Sequence, residues 1–479
     1  MPKGRLLAET ASLLQKADWG LSTYHKGMPS YRPKSRRFPS LLAKVFHEKD
    51  IPIQVAVGNY DLGICGLDWI EELLVKYPSS ALVKIRNLGY GEGAICVVAG
   101  RSSGLATVDD IQANQDTIRV AGEYPNLAES FALRNRLRRF SIFPLWGAAE
   151  VYPPENADLA LIPGNVDEEM LNHDLVPISD LLTYNAYLIA NKSSWERRDL
   201  SQIIASIEGG LSAIEKQSLA ESEVSATEKA GRYPTRQEKE SSISAGTGFQ
   251  AATEDTVRLA LPDGHQQDPT IQLLNKAGIR VDDYPSTVGN RRPTTTTRGV
   301  VIKVVRPQDM PLQVANSNFD LAITGRDWLR EHLYQFPSSP VTELLDLKYS
   351  KVRVVAVVSK ELPVEDVYSL RQLNSERTAP IRVTSEYVNI ADKYARDNHL
   401  GVYRVIPSWG ASEAFLPEDA DLLIENTETG RTIARHNLKI IDTLCESTAC
   451  LIGNKDSISS STKGERIEFI TETLRAAVE

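Results

Sequence analysis

Cysteine is scarce in this chain, four residues in 479. All four (Cys65, Cys96, Cys445 and Cys450) sit in or beside apolar runs such as DLGICG and AICVVAG, where a thiol packs as a small hydrophobe. Neither a disulfide framework nor a cysteine metal site is expected. The seven histidines show no metal-like clustering. No window approaches the roughly 18 apolar residues of a membrane span, and the N-terminal MPKGRLLAETASLLQKADWG has a basic start without the apolar core of a secretion signal, so the cytoplasm is the default location. Positive charge is not in excess either: 54 Lys and Arg stand against 63 Asp and Glu, a formal charge of -9. That balance argues against a nucleic-acid binder and still permits a local basic pocket for a small anion. No G-x-S-x-G elbow occurs, and GYGEGA at 89–94 completes no G-x-G-x-x-G spacing.

What the chain does contain is itself, twice. NYDLGICGLDWIEELLVKYPSSALV (59–83) aligns without a gap with NFDLAITGRDWLREHLYQFPSSPVT (318–342) at an offset of 259. Further on, IRVAGEYPNLAESFA (118–132) matches IRVTSEYVNIADKYA (381–395), and LWGAAEVYPPENADLALI (145–162) matches SWGASEAFLPEDADLLIE (408–425), both at 263. A length of 479 exceeds what one core usually organises, and a diverged tandem duplication accounts for it. Between the copies, 216–250 is rich in Ser, Glu, Lys and Gly and reads as a linker, within a joining region at 206–254. Short apolar runs (VRLAL, DLAIT, VRVVAVV, DLLIE) alternate with helical spacing (TIQLLNKAGI, NIADKYARDNHL), which predicts an α/β fold with mainly parallel sheets. Two lobes per copy are expected: 1–100 plus 180–205 with 101–179, and 255–360 plus 442–479 with 361–441. Ligands would bind in the clefts, at the carboxyl ends of strands.

The chemistry concentrates where the copies differ. In DADLLIENTETGRTIARHNL an apolar run hands over through Glu425, Thr427, Glu428, Thr429, Gly430, Arg431 and Thr432 to a helix-like segment. Such a loop either caps a helix, with Thr429 as the cap, or offers backbone N–H groups, hydroxyls and a guanidinium to phosphate. Glu413 and Glu425 are placed to accept from vicinal sugar hydroxyls. Copy one aligns IPGNVDEE here, and Asp167, Glu168 and Glu169 repel phosphate, which favours a phosphate loop unique to copy two. The start of each copy shows the opposite asymmetry: Lys3 and Arg5 in MPKGRLL face Asp263 and His265 in LPDGHQQ. Lys3 and Arg5 are either pyrophosphate-seeking cations on a Gly turn or surface charges of a free terminus. SYRPKSRRF (30–38) reads most simply as a solvated basic loop. Arg306 in VVRPQDMP is either a site cation or a partner for Asp309. Trp69 and Trp328, equivalent under the offset, read as core anchors.

Together, PKGRL (2–6), RPQDMP (306–311), DLGICG with DLAITG, EYPNLA (123–128) with EYVNIA (386–391), WGASEA (409–414) and ENTETGRTIARHNLKIIDTLCESTACLI (425–452) resemble the ATP phosphoribosyltransferase family, which opens histidine biosynthesis. The resemblance implies two fused units, each a pair of α/β lobes like those of periplasmic binding proteins. It implies a reaction in which N1 of the ATP adenine displaces pyrophosphate from phosphoribosyl pyrophosphate, with Mg2+ held through the pyrophosphate and no direct protein ligand. Glu425 and Thr427 to Thr432 would hold the ribose and 5-phosphate, Glu413 the ribose, and Lys3 and Arg5 phosphate. Neither copy alone carries both the phosphate loop and the basic PKGR turn. The expectation is therefore an internal pseudo-dimer in which copy two binds phosphoribosyl pyrophosphate and copy one supplies support and cations. The alternatives are a pure scaffold role for copy one, or a non-catalytic nucleotide-binding paralogue. Further homo-oligomerisation and a regulatory subunit resembling histidyl-tRNA synthetase belong to the same expectation. The family's C-terminal regulatory domain is not expected after RIEFITETLRAAVE.

Overall fold

The computed structural model describes every residue except 22, 29, 165–173, 229–254, 288, 376 and 378, and of 215–228 it describes the helix but no side chains. The compared residues Asp167, Glu168 and Glu169 and most of the joining region thus lie outside the described residues.

Each copy folds as two α/β lobes. In copy two the first lobe carries a five-stranded sheet in the spatial order Val300–Val305, Val257–Pro262, Leu321–Gly325, Ala449–Asn454, Val341–Asp346. The first three strands run parallel, and Ala449–Asn454 is antiparallel to both its neighbours. The second lobe orders Tyr403–Pro407, Ile381–Ser385, Leu422–Thr427, Val352–Ser359, Leu438–Ser447. Copy one repeats that second sheet as Phe140–Pro144, Ile118–Gly122, Leu159–Gly164, Gly93–Gly100, Leu175–Tyr184. Its first lobe holds Leu62–Gly66, Ala186–Asn191 and Leu82–Asn87, beside a parallel pair made by Pro2–Lys3 and Phe46–His47.

Sheet membership moves the crossings between lobes. Gly93–Gly100 and Val352–Ser359, placed in the first lobes by the sequence reading, are paired on both sides within the second sheets. Six consecutive buried residues in each need a sheet partner on either edge and cover on either face, which only the sheet interior provides. The chain therefore crosses between Asn87 and Gly93 and returns between Tyr184 and Ala186. In copy two it crosses between Asp346 and Val352 and returns between Ser447 and Ala449.

The joining region also begins later than 206. A helix, Ser201–Glu228, continues through it, and Ile207 and Leu211 are buried against Leu13, Leu14 and Trp19 of copy one. Trp19 Nε1 donates to Ser206 Oγ at 2.9 Å. At Gly210 an added Cβ would come within 3.0 Å of Ala17 Cβ and Leu13 O, so the missing side chain lets two helices approach closely. The Ile203, Ile207, Leu211, Ile214 spacing is that of one buried helical face.

The copies pack head to tail, each first lobe against the other copy's second lobe. One core joins Phe46, Ile51, Val55 and Leu82 of copy one to Phe415, Leu416, Leu423 and Ile433 of copy two. The other joins Cys96, Ala121, Leu145 and Tyr152 to Val305, Met310, Val314 and Phe319. Phe46 and Phe415 meet edge to face at 5.1 Å. Phe415 is wholly buried, and burial of that one ring is worth about 1.5–3 kcal/mol. The halves are thus one folded body with two pseudo-equivalent junctions.

Candidate active site

At the first junction, strand Pro2–Lys3 runs in parallel register with Phe46–His47 (Pro2 opposite Phe46, Lys3 opposite His47). The carboxyl ends of these strands, where α/β sheets place ligands, face the second lobe of copy two. Lys3 Nζ donates to Tyr31 Oη at 2.8 Å. The Tyr31 ring stacks on His436 of copy two at 4.8 Å, immediately after the short helix Arg431–Arg435. The cation of one copy is thereby delivered beside the loop of the other.

The loop leaves strand Leu422–Thr427. Gly430 adopts φ 72°, a left-handed conformation that favours glycine, and opens the helix. The Gly430 N–H donates to Thr427 Oγ1 at 2.9 Å. Glu428, Thr429, Arg431 and Thr432 are exposed, with side chains open to a ligand. Behind them Glu425 accepts from Ser412 Oγ and, at 3.0 Å, from its neighbour's N–H. Asn426 Nδ2 donates to Tyr387 Oη, which donates to buried Asp327, both at 2.6 Å. This chain fixes the start of the loop to its own first lobe.

Three carboxylates of copy two converge here. Burial, then Glu386 and Glu413, push the Glu425 carboxyl up to about 8. Burial and Glu413 likewise push Glu386 up to about 7, against the pull of Lys3 and Lys49 from copy one. On the facing side, burial followed by Lys49, Lys3 and Arg5 lowers His47 to about 4. It is neutral at pH 7 beside three cations, of which Arg5 and Lys49 are paired with carboxylates of copy one and Lys3, among the described residues, is not.

The expected residues are therefore partly assembled. Lys3, Glu413, Glu425 and the 427–432 loop come together. Arg5 is near, but its guanidinium is committed to Glu48 at 3.0 Å and Asp68 at 2.6 Å and lies over the Tyr184 ring. It holds the PKGR turn in place. Arg306 is elsewhere: it pairs with Asp263 at 3.0 Å, not with Asp309, and sits against Gly147 at the second junction. The register explains this, because Asp263 and Arg306 are the counterparts of Lys3 and His47, strand for strand. Arg291 completes a closed cluster there, bonding Asp263 and Glu150, both at 3.1 Å.

SYRPKSRRF is not merely solvated. Arg32 bonds Glu418 at 2.8 Å and donates to the Ala414 and Leu416 carbonyls, while buried Lys44 bonds Glu418 and Asp419. Arg292 and Lys303 repeat the arrangement on Glu155 at the second junction. This basic clamp joins the copies. Residues not anticipated as site members are Glu386, His47, Lys49, Ser412 and Tyr31. Glu386 lay inside a quoted motif, and its pairing with Glu123 under the 263 offset was the available signal. Ser412 and Tyr31 also lay inside quoted stretches, WGASEA and SYRPKSRRF, but their roles, like those of His47 and Lys49, come from tertiary packing. Cys65, Cys96 and Cys450 are buried, Cys445 half-buried, and all four are unpaired. Among the described residues no group of three or more His, Cys, Asp or Glu is placed to hold a metal, and no helix is long and apolar enough to cross a membrane.

A family model described as ATP phosphoribosyltransferase matches residues 47–209 and again 306–476. The chain belongs to the ATP phosphoribosyltransferase family. Curated relatives of that name include those of Chlorobaculum parvum, 34% identical over 47% of this chain and 73% of its own length, and Prosthecochloris aestuarii, 32% identical over 48% and 74%. Among solved structures, the ATP phosphoribosyl transferase complex of Thermotoga maritima matches 47% of this chain and 98% of its own at 21% identity, TM-score 0.38. The aliphatic sulphonate binding protein of Escherichia coli matches 47% and 69% at 14% identity, TM-score 0.30.

Proposed function

We propose that this member of the ATP phosphoribosyltransferase family transfers the phosphoribosyl group of phosphoribosyl pyrophosphate to N1 of ATP, at one composite site per chain. The observation that carries this reading is the delivery of copy one's Lys3, with Lys49, to the carboxylates and loop of copy two. In the proposed step the adenine N1–C1 bond forms as the C1–oxygen bond to pyrophosphate breaks. Positive charge develops at the sugar carbon and negative charge on the leaving group. Thr429, Gly430, Arg431 and Thr432 hold the 5-phosphate, Glu413 and Glu425 accept from the ribose hydroxyls, and Lys3 faces the pyrophosphate. Preorganised charge of this kind is where such a displacement gains most of its rate. Mg2+ carried on the pyrophosphate would neutralise part of the leaving charge.

The second junction, with its acid already neutralised by two arginines, supports a structural role. A binding-only reading rests on the absence of the basic PKGR turn from copy two, where Asp263 and His265 stand opposite Lys3 and Arg5. Mixing the protein with ATP, Mg2+ and phosphoribosyl pyrophosphate, with and without a histidyl-tRNA-synthetase-like subunit, and following adduct formation by ultraviolet absorbance and mass separates the two. Product supports transfer; tight phosphoribosyl pyrophosphate binding without product under both conditions supports binding alone.

A further inference from the structure

Between the two copies lies a cavity of about 660 Å³, inside the range of small-molecule sites. Its lining repeats in pairs related by the internal offsets: Trp69 with Trp328, Trp146 with Trp409, Glu72 with Glu331, Glu123 with Glu386. Four of the chain's six tryptophans thus face one space. The core-anchor reading of Trp69 and Trp328 accounts for only part of their surroundings.

The polar groups of the lining are unevenly matched. Glu72 accepts from the Asn126 and Leu127 N–H groups at 2.9 Å, and Glu331 from those of Asn389 and Ile390 at 2.8 Å, so both are committed to helix starts. Glu123 pairs with Lys49 at 2.7 Å. Among the described residues no lysine or arginine pairs with Glu386 or with Asp309, whose oxygens accept from the Trp146 N–H at 3.0 and 3.1 Å. Gln308, also in the lining, keeps a buried side-chain oxygen with no donor. Three acceptors of the lining, Glu386, Asp309 and the Gln308 side-chain oxygen, thus lack a cationic partner among the described residues, in a space that four tryptophans line. One cation already uses such a face: Lys49 Nζ lies 4.7 Å over the Trp69 ring. Trp146 and Trp328, 5.8 Å apart across the copies, have no cation over them among the described residues.

A flat organic cation supplies what is missing, a positive partner for Glu386 and Asp309, an N–H donor for Gln308 and a positive plane for the tryptophans. We propose that this cavity binds a small planar organic cation, an amidinium or guanidinium carried on an apolar or aromatic body. Burial raises the Glu386 carboxyl to about 7 and that of Asp309 well above the usual range, and a bound cation would draw both back to the charged form. Because Glu386 and Lys49 border both the cavity and the candidate active site, occupancy would change the field at the phosphoribosyl loop.

Benzamidine, benzamide and benzoate share a shape and differ in charge. Each is titrated into the full chain at neutral pH, with calorimetry and tryptophan fluorescence as readouts. Benzamidine is expected to bind at one site per chain with a fluorescence response, at least roughly tenfold more tightly than the other two. Asp309→Asn and Trp146→Leu are expected to weaken it several-fold, with circular dichroism checking that each variant is folded. The charge series on the unaltered chain decides the matter if both variants misfold. No saturable benzamidine binding at millimolar concentration, equal binding of benzamide, or unchanged binding in folded variants would overturn the assignment. So would displacement of benzamidine by ATP, which would give the cavity to the acceptor nucleotide.

Discussion

Replacing Lys3 by methionine tests the composite site at its most exposed claim, that a residue of copy one serves a substrate held by copy two. The substitution keeps the aliphatic stem and removes the charge. Among the described residues the amine bonds Tyr31 Oη alone, at 2.8 Å, and lies 4.9 Å from its ring centroid, so its loss should cost the fold no more than about 1 kcal/mol. A charge-assisted contact to pyrophosphate is worth about 1.5–3 kcal/mol, so kcat/KM for phosphoribosyl pyrophosphate should fall roughly 10- to 150-fold. Part of the loss should appear in kcat, because charge grows on the leaving group in the transition state. Arg5→Met is the contrast. It strips the cation from Asp68, which is fully buried and held otherwise by the Tyr124 hydroxyl. With Arg5 about a third exposed, the expected destabilisation is about 2–3 kcal/mol, at the lower end for a broken buried pair. Initial rates from ultraviolet absorbance, paired with urea unfolding of both variants, give the measurement. A folded Lys3→Met protein within twofold of the unaltered rate would refute the composite site and leave copy one a scaffold.

Three further outcomes follow from the same geometry. Arg431→Glu places a carboxylate in the exposed loop and should abolish phosphoribosyl pyrophosphate binding in calorimetry, with little change in the urea midpoint since the side chain is exposed. Glu425, ionising near 4.5 when unfolded and near 8 when folded, keeps its proton longer in the native state. Its contribution is therefore complete below about pH 4.5 and is lost as pH rises through 8; Glu425→Gln should flatten the fall in urea midpoint between pH 5 and 8.5, and an unchanged slope would exclude the assignment. Asp263→Lys removes the acid that bonds both Arg291 and Arg306. It should destabilise the chain by about 2–4 kcal/mol while calorimetric stoichiometry stays at one phosphoribosyl pyrophosphate per chain; two sites would refute the single-site reading.

The two-lobed α/β architecture was legible because duplication doubles every signal, but the sheets expected to be mainly parallel are mixed, with two parallel and two antiparallel pairings in each second sheet. Each apolar run and helical spacing occurs twice at a fixed offset, and IRVAGEYPNLAESFA with IRVTSEYVNIADKYA locates the same strand and helix in both copies. Lobe edges were less legible, because GAICVVAG reads equally well as the last strand of one sheet or the middle of the next; only its two neighbours decide. The site was half legible. Loop 425–432 carries its polar and cationic groups within one stretch, and Lys3 stands out by contrast with Asp263. The destination of a charge is not a local property: Arg5 and Arg306 look like site cations in sequence and differ from Lys3 only in the acids that packing brings to them, Glu48 and Asp68 for one and Asp263 for the other.

Covalent fusion explains why the two junctions are free to differ. In a homodimer of a single copy, twofold symmetry would repeat every residue at both junctions, so a lysine gained at one would appear at the other. Tandem copies remove that constraint. At the second junction, the acid Asp263 on one strand and the base Arg306 on its neighbour close into an ion-paired cluster with Arg291 and Glu150, neutralised without any ligand. At the first, Lys3 and the neutral His47 occupy the same two positions, with Lys49 close by and no carboxylate directly on Lys3 among the described residues. A junction that neutralises itself contributes to stability whether or not substrate is present; one that leaves Lys3 without an ion pair keeps a charge available to an anion. The basic clamps, Arg32 with Lys44 and Arg292 with Lys303, are retained at both junctions because holding the halves together is a task they share. The asymmetry at the strand ends that face the loops is one of charge, Lys3 at one junction and Asp263 bonded to two arginines at the other.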